Sequence, residues 1–502
     1  MGREPADAVS NVIEFPLSVR LRGLVSEIAA FFEGRGVLAY AVGGFVRDGL
    51  QGRTFNDLDI AIAADPLELA PAIAEAFGGS FFPLDEERRL VRVLLPKAGV
   101  HLDLQPLKGP IEEDLGTRDF TIDAMGAELG QAAAGRLALI DPTGGLADLR
   151  GGIVRAVREP NLIEDPLRLL RGVRLAVALG FEIEPETAEM IQRSSSLVAT
   201  AAAERQRDEL VLILASGSAG RGLRMMDELG LLPAVLPELD VTRGVDQPKE
   251  HHWDVFNHSL QAVGAMEMLL AAEEPEAEMH RWLRQELWSQ LGWWPQARAE
   301  MGGERGTILK MACLLHDIGK PETKSFQEDG RMRFFGHAEA GATIAGKLLR
   351  RLRFPSRESA QVTAMIDAHM RPLQMAQQGA PTNRAIYRFF RDTGGAGADT
   401  LFLSLADHLA AVGPRVTHEG WRRHVAIVSY ILRKASEERE LITPPRLIDG
   451  DELMAELGIP PGRELGRILE VIREGQAAGE VKSREDGLRL ARQYLEQSAT
   501  SG

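Results

Sequence analysis

The chain has 502 residues, 44% hydrophobic and 26% charged, a balance ordinary for globular protein and long enough for two or more domains with their own cores. Its formal charge of −15 excludes indiscriminate coating of nucleic acid, which needs a basic surface, but leaves room for a local basic groove. No run of about 18 apolar residues suggests a membrane span, no secretory signal is evident, and the lone cysteine excludes an internal disulfide, so a cytoplasmic protein is expected.

Residues 1–20 read as a loose lead-in. Short apolar runs, glycine turns and helices then alternate through residues 21–155, which predicts an α+β head with a mixed β-sheet. Leu38–Val42 has the length of a buried strand. Gly43 and Gly44 follow, where the backbone can turn tightly and approach a ligand. The helix after them would aim its first N–H groups at the same spot, which suits a phosphate. Leu58, Ile60 and Ile62 predict the buried face of the next strand, so Asp57 and Asp59 share the other face. Two carboxylates so spaced can share divalent cations, although an isolated Asp-x-Asp or Gly-Gly is common without function. In this order, Gly43-Gly44-Phe45-Val46-Arg47-Asp48 followed by Asp57-Leu58-Asp59 resembles the nucleotidyltransferase superfamily, and within it the class II tRNA nucleotidyltransferase and poly(A) polymerase family.

That resemblance implies a head that binds a nucleoside triphosphate and Mg²⁺ through Asp57 and Asp59, with Gly43, Gly44 and Arg47 near the triphosphate. Val100–Leu104 alternates and carries Asp103. A third carboxylate beside the pair would orient or deprotonate an attacking hydroxyl; the plain alternative is a surface aspartate. Thr117-Arg118-Asp119-Phe120-Thr121-Ile122-Asp123-Ala124 is similar to the family's Arg-Arg-Asp-Phe-Thr-Ile-Asn-Ala. Arg118 and Asp119 match the pair that faces ribose and phosphates. Thr117 stands where the family has its first arginine, and Asp123 where it has asparagine. The first change removes a donor; the second swaps an amide for an acceptor that can be charged. Asp141-Pro142-Thr143-Gly144-Gly145, running on to Arg155, resembles the joint between head and neck.

Beyond Arg155 helical periodicity takes over, with Leu167, Leu170, Val173, Val177 and Phe181 near helical spacing. Residues 156–225 are expected to form a helical neck. Asp165 is placed to cap a helix with Pro166 in its first turn, while Arg168 lies on the face of Asp165. A carboxylate accepts and a guanidinium donates, so the two can imitate a base-pairing edge. Glu164-Asp165-Pro166-Leu167-Arg168 resembles the family's Glu-Asp-x-x-Arg, which selects CTP and ATP without a nucleic-acid template. Arg205, in Glu204–Leu210, resembles the next neck helix and would complete the nucleobase pocket; an ion-paired surface helix is the plain alternative.

Residues 226–438 predict a helical domain interrupted near 271–306 by a Trp-, Glu- and Arg-rich insertion whose aromatics are expected to pack rather than stack on bases. Cys313 lies in an apolar run and reads as core. The same run ends in His316-Asp317, and His258, His337, His369 and Asp407 complete a set of imidazoles and carboxylates suited to a divalent metal. In order they resemble the HD phosphohydrolase superfamily. His258, His316, Asp317 and Asp407 match its core ligands, and His337 and His369 match the positions of a second metal; the metal's identity stays open. His251 and His252 are assigned no ligand role. Lys347, Arg350, Arg351, Arg353 and Arg357, then Arg384, Arg388 and Arg391, are candidates for a basic groove, with a solvated helix face as the alternative. Residues 439–502 predict a polar helical tail. The resemblance implies addition of CCA, or part of it, to tRNA from CTP and ATP, with a companion enzyme if the labour is divided. The rivals are a poly(A) polymerase, a CC-only or A-only enzyme, and an HD phosphohydrolase whose head only binds nucleotide.

Overall fold

A computed structural model describes residues 12–53 and 56–500, so residues 1–11 of the expected lead-in lie outside the described residues. The chain divides into two compact units, one extending to Ala201 and including Leu229–Leu231, the other made of Ala202–Glu228 and Leu232 onward.

The first unit holds the sheet. Its strands are β1 (Val12–Glu14), β2 (Ala39–Val42), β3 (Asp57–Ile62), β4 (Ser80–Asp85), β5 (Leu90–Leu95), β6 (Val100–Pro106), β7 (Gly126–Glu128) and β8 (Arg136–Ala138). Six of them form a sheet in the order β4-β5-β6-β3-β2-β7. Only β3 and β6 run parallel; their neighbours are antiparallel, so the sheet is mixed. Alternation decides the faces. Leu58, Ile60, Val91, Val93, Leu102 and Leu104 are fully or almost fully buried, each worth roughly 1.5–3 kcal/mol of apolar burial. The residues between them, Asp57, Asp59, Arg92, His101 and Asp103, are thereby driven to the other face.

The end of the lead-in is structured. β1 pairs antiparallel with β8, Phe15 is buried edge-on against Phe45, and a helix opens at Val19 with Ser18 as its cap. Helix Pro66–Phe77 follows the same capping logic, with Asp65 accepting from the Leu67 N–H and Gly78 ending it in the left-handed region. After β9 (Ile153–Val154), which pairs parallel with β10 (Glu182–Ile183), the unit is helical, with Leu167–Leu179 as its most buried helix.

The second unit is built from helices and one hairpin, β11 (Lys324–Phe326) with β12 (Met332–Phe334). The insertion forms helix Glu278–Gln290, which packs on helix His418–Glu437: buried Trp421 donates to the Leu283 carbonyl, and Trp282 stacks on His418. Trp288 lies against Phe402, and Trp293 against Trp294, so these aromatics serve packing. Cys313 is fully buried. The tail closes around its own core of Ile448, Leu453, Ile468, Ile472, Val481 and Leu488. Among the described residues, no helix is long and apolar enough to cross a membrane.

Candidate active site and metal centre

Register places the carboxylates of the first unit. Parallel pairing sets Asp59 opposite Asp103 and Asp57 opposite His101, so all three aspartates lie on one face. Asp57 is exposed, and its Oδ1 is 3.2 Å from His101 Nδ1. Asp103 is gripped by Arg92 from β5 through two bonds of 2.7 and 2.6 Å, which fix the carboxylate plane. Asp59 accepts from the Phe45 N–H at 3.3 Å. Burial, and then the neighbouring Asp103, push its carboxyl up to about 6 against the pull of Arg118 and Arg171.

The glycine turn lies directly over Asp59. Gly43 has φ +62, and a Cβ built on it would come 3.0 Å from Arg118 Nη1 and 3.2 Å from Asp59 Oδ2; one on Gly44 would meet Asp59 Oδ2 at 3.1 Å. A Cβ at either position would press Asp59 aside by a few tenths of an ångström, and Gly43 also needs glycine's backbone freedom. Asp59, crowded against this turn and short of compensating charge, fits a divalent cation shared with Asp57.

Arg47, in helix Gly43–Leu50, forms a two-bond pair with Asp48 at 2.8 and 2.9 Å and donates to Asp123 at 2.5 Å. Arg118 reaches Asp114 Oδ2 at 3.4 Å, and Asp119 pairs with Arg171 Nε at 2.9 Å. Asp123 is buried, which alone would raise its carboxyl, yet Arg47 and Arg171 hold it down at about 2. Thr117, in place of the expected arginine, donates to the Asp114 carbonyl and closes the preceding helix. Asp141 accepts from the Gly145 and Leu146 N–H groups, and Asp148 receives Thr121 and Arg155, which ties the expected joint to the Asp119–Asp123 segment.

Asp165 is buried and accepts weakly from the Leu167 N–H at 3.4 Å, as a cap does. Its Oδ2 receives Arg88 at 3.1 Å. Arg168 donates to the carbonyls of Asn161 at 2.7 Å and Thr117 at 3.3 Å, which orients its guanidinium. Arg205 is exposed on helix Ala203–Ala215 of the second unit. Sequence reasoning missed Arg88, Arg92 and Arg171. The outward phase of Arg92 between Val91 and Val93, and the three-residue step from Arg168 to Arg171, were the available signals for two of them.

In the second unit five helices or their ends deliver six ligand-type side chains to one point. His258, His316 and Asp407 form one cluster; Asp317, His337 and His369 form another. His258 Nε2 lies 3.0 Å from both His316 Nε2 and Asp407 Oδ1, and His337 Nε2 lies 3.3 Å from His369 Nε2. His316, His337 and His369 each direct Nδ1 to a carbonyl three residues back, of Cys313, Phe334 and Ile366. As donors there, they turn the Nε2 lone pairs inward. Inward lone pairs at such distances repel unless a cation lies between them. Asp317 Oδ1 is buried without a hydrogen-bond partner on the side of His337 and His369, while Oδ2 takes Lys320 at 2.6 Å. Against the opposing effect of burial, Asp317 and Asp407 push His316 up to about 10, so the two carboxylates call for a positive charge at Nε2, which a proton supplies until a metal ion displaces it. The donor set fits one or two divalent metal ions.

Four of the eight basic candidates are closely paired with glutamates. Arg384, Arg388 and Arg391 pair with Glu480, Glu474 and Glu470 of the tail region, and Arg351 with Glu238.

Residues 39–155 match the family model described as the poly A polymerase head domain. Residues 180–242 match the probable RNA and SrmB-binding site of polymerase A, and residues 255–412 the HD domain. An A-adding tRNA nucleotidyltransferase of Deinococcus radiodurans is 34% identical over 469 residues, covering 92% of this chain and 97% of the relative. The chain belongs to the tRNA nucleotidyltransferase and poly(A) polymerase family. A CC-adding tRNA nucleotidyltransferase of Thermus thermophilus is 36% identical, covering 89% of this chain and 92% of its own. In fold, the chain resembles the apo form of a CCA-adding enzyme, with TM-score 0.61 at 18% identity, over 95% of this chain and 96% of that one. The Thermotoga maritima CCA-adding enzyme complexed with tRNA gives TM-score 0.57 at 18% identity, covering 96% and 99%.

Proposed function

We propose that this chain is a cytoplasmic, template-independent tRNA nucleotidyltransferase that builds the CCA end, or its CC or A portion, from CTP and ATP. The observation that carries this reading is the face shared by Asp57, Asp59 and Asp103 beneath the Gly43-Gly44 turn. Near full-length likeness to A-adding and CC-adding enzymes supports it and fits a division of labour with a companion enzyme.

Asp57 and Asp59 would hold Mg²⁺, which when bound lowers the pKa of the attacking 3′-hydroxyl and neutralises charge on the departing pyrophosphate. The glycine turn admits the triphosphate close to the backbone. Asp103, its plane fixed by Arg92, orients the hydroxyl for in-line attack on the α-phosphorus. Arg118 and Asp119 face ribose and phosphates. Asp165 and Arg168 present one acceptor and one donor edge to the base, each held by a second residue.

The six-residue cluster favours a second activity, metal-dependent phosphohydrolysis at His258, His316, Asp317 and Asp407, with His337 and His369 binding a second ion beside Asp317.

The test uses tRNA transcripts ending before C74, after C75 and after A76, incubated with Mg²⁺ and single or mixed nucleotides and sized at nucleotide resolution. Addition of CC, A or CCA supports the reading. Long ATP-only tails would mark a poly(A) polymerase, and no extension would leave the metal cluster as the main activity. Asp57→Ala with Asp59→Ala abolishes extension while sparing hydrolysis of a phosphomonoester; His316→Ala does the reverse.

A further inference from the structure

Asp123 is where this chain carries a carboxylate in place of the amide expected from its family resemblance, and the structure shows what the charge does. Both oxygens are in use. Oδ1 receives Arg47 Nη1 at 2.5 Å, from the helix that begins at the glycine turn. Oδ2 receives Arg171 Nη2 at 3.0 Å, from the helix that carries Arg168. Arg171 also reaches Asp119 with Nε at 2.9 Å. Asp123 is 2% exposed, so its carboxylate is held out of water by two charge-assisted bonds, from Arg47 on the buried side and from Arg171, whose side chain is 40% exposed. An asparagine offers one acceptor oxygen, and its NH₂ would face the second guanidinium donor to donor. The carboxylate is therefore matched to two arginines, not one.

Arg47 has a consequence of its own. With Asp48 gripping it by two bonds and Asp123 by a third, its charge is largely answered within the protein. It acts on the triphosphate through where it holds the turn more than as an open counter-charge. Arg171 stands one helical turn beyond Arg168 and is joined to Asp119, so it links the base-reading helix to the segment assigned to the ribose.

We propose that Asp123, with Arg47 and Arg171, is a positioning clamp that holds the glycine turn and the Arg168 helix in one register, so that the triphosphate and the nucleobase are placed together. This rests on the nucleotidyltransferase reading above. Asp123 and Arg171 are positioning residues: they touch other protein groups, not the reacting atoms.

The experiment compares the full chain with Asp123→Asn, Arg171→Gln and the double variant. It measures kcat and KM for CTP and ATP in tRNA extension, misincorporation of GTP and UTP, and CTP and ATP binding by titration calorimetry. Asp123→Asn is expected to raise KM about tenfold and to raise misincorporation by a similar factor. Arg171→Gln keeps the Asp123–Arg47 bond and is expected to raise misincorporation as well. The double variant removes the Arg171 guanidinium that the introduced asparagine's NH₂ would face donor to donor and should recover at least fivefold of the loss relative to the product of the single effects. A purely structural role would lower the active fraction and kcat without moving selectivity. The clamp is overturned if selectivity and KM are unchanged in both single variants, or if their effects on nucleotide binding simply multiply. If Asp123→Asn does not fold, unchanged selectivity in Arg171→Gln alone overturns it. Failure of the wild-type chain to extend any tRNA refutes the functional reading instead, and the coupling in nucleotide binding still decides the clamp.

Discussion

Gly43 and Gly44 allow backbone strain to be separated from crowding at the same carboxylate. A Cβ on either meets Asp59 Oδ2 at nearly the same distance, 3.2 and 3.1 Å, but only Gly43 sits at positive φ, +62. Gly43→Ala pays the left-handed backbone cost of roughly 1–2 kcal/mol and also meets Arg118 Nη1 at 3.0 Å. Gly44→Ala has no such cost and gains about 1 kcal/mol from alanine's higher helix propensity, which offsets its contact. For a unit of about 200 residues, 1 kcal/mol corresponds to roughly 2–4 °C, so Gly43→Ala should melt roughly 2–8 °C below Gly44→Ala in metal-free protein. Both variants shift Asp59 by a few tenths of an ångström and should lose about tenfold in kcat for tRNA extension, since a 1 Å misplacement can cost about a hundredfold. Differential scanning calorimetry and single-turnover extension read the two effects separately. Equal melting temperatures would refute the backbone argument; undiminished kcat in both would refute the placement of Asp59 at the reaction centre.

Three further outcomes are expected. Arg168→Ala should relax the choice between CTP, ATP and the other nucleotides more than it slows extension with saturating CTP; unchanged selectivity would return Arg168 to a structural role. Because burial and Asp103 raise Asp59 to about 6, protons compete with the cation there: the Mg²⁺ concentration for half-maximal extension should climb as pH falls from 7.5 to 5.5, and a flat requirement would contradict the assignment. Dialysed chain titrated with Mn²⁺ should take up to two ions in the second unit, and His337→Ala with His369→Ala should remove one. At a hundred times Kd a bound ion adds about 2.7 kcal/mol to that unit's stability, visible as a raised melting temperature.

The head's sheet was legible because its signal is local. Alternation of period two in Leu58–Ile62 and Val100–Leu104 announces both the strands and the faces on which Asp57, Asp59 and Asp103 stand. The convergence of His258, His316, Asp317, His337, His369 and Asp407 was legible as an ordered set of ligand-type residues, although nothing local brings positions so far apart together. Strand β1 was not legible: three residues pair only because β8 offers an edge. Nor were the arginine partners. Arg88 finds Asp165 from 77 residues away and Arg171 finds Asp123 from 48, contacts that belong to the tertiary fold and leave no periodic trace.

The arginines of helix Asn383–Thr393 show how far residue type alone can mislead. Arg384, Arg388 and Arg391 recur at helical spacing, which is the pattern of a phosphate-binding face. In the structure each is answered by a glutamate: Glu480, Glu474, and for Arg391 both Glu470 and Glu474, while Tyr387 donates to Glu470. Exposed pairs of this kind are worth at most about 1 kcal/mol each and weaken with salt, so they do not bar RNA outright. They do change the accounting. A phosphate that takes one of these arginines must leave a carboxylate unpaired beside it, and in a chain of charge −15 that carboxylate repels the next phosphate. Under the proposed function, the face of helix Asn383–Thr393 would therefore contribute to tRNA recognition through shape more than as a basic surface.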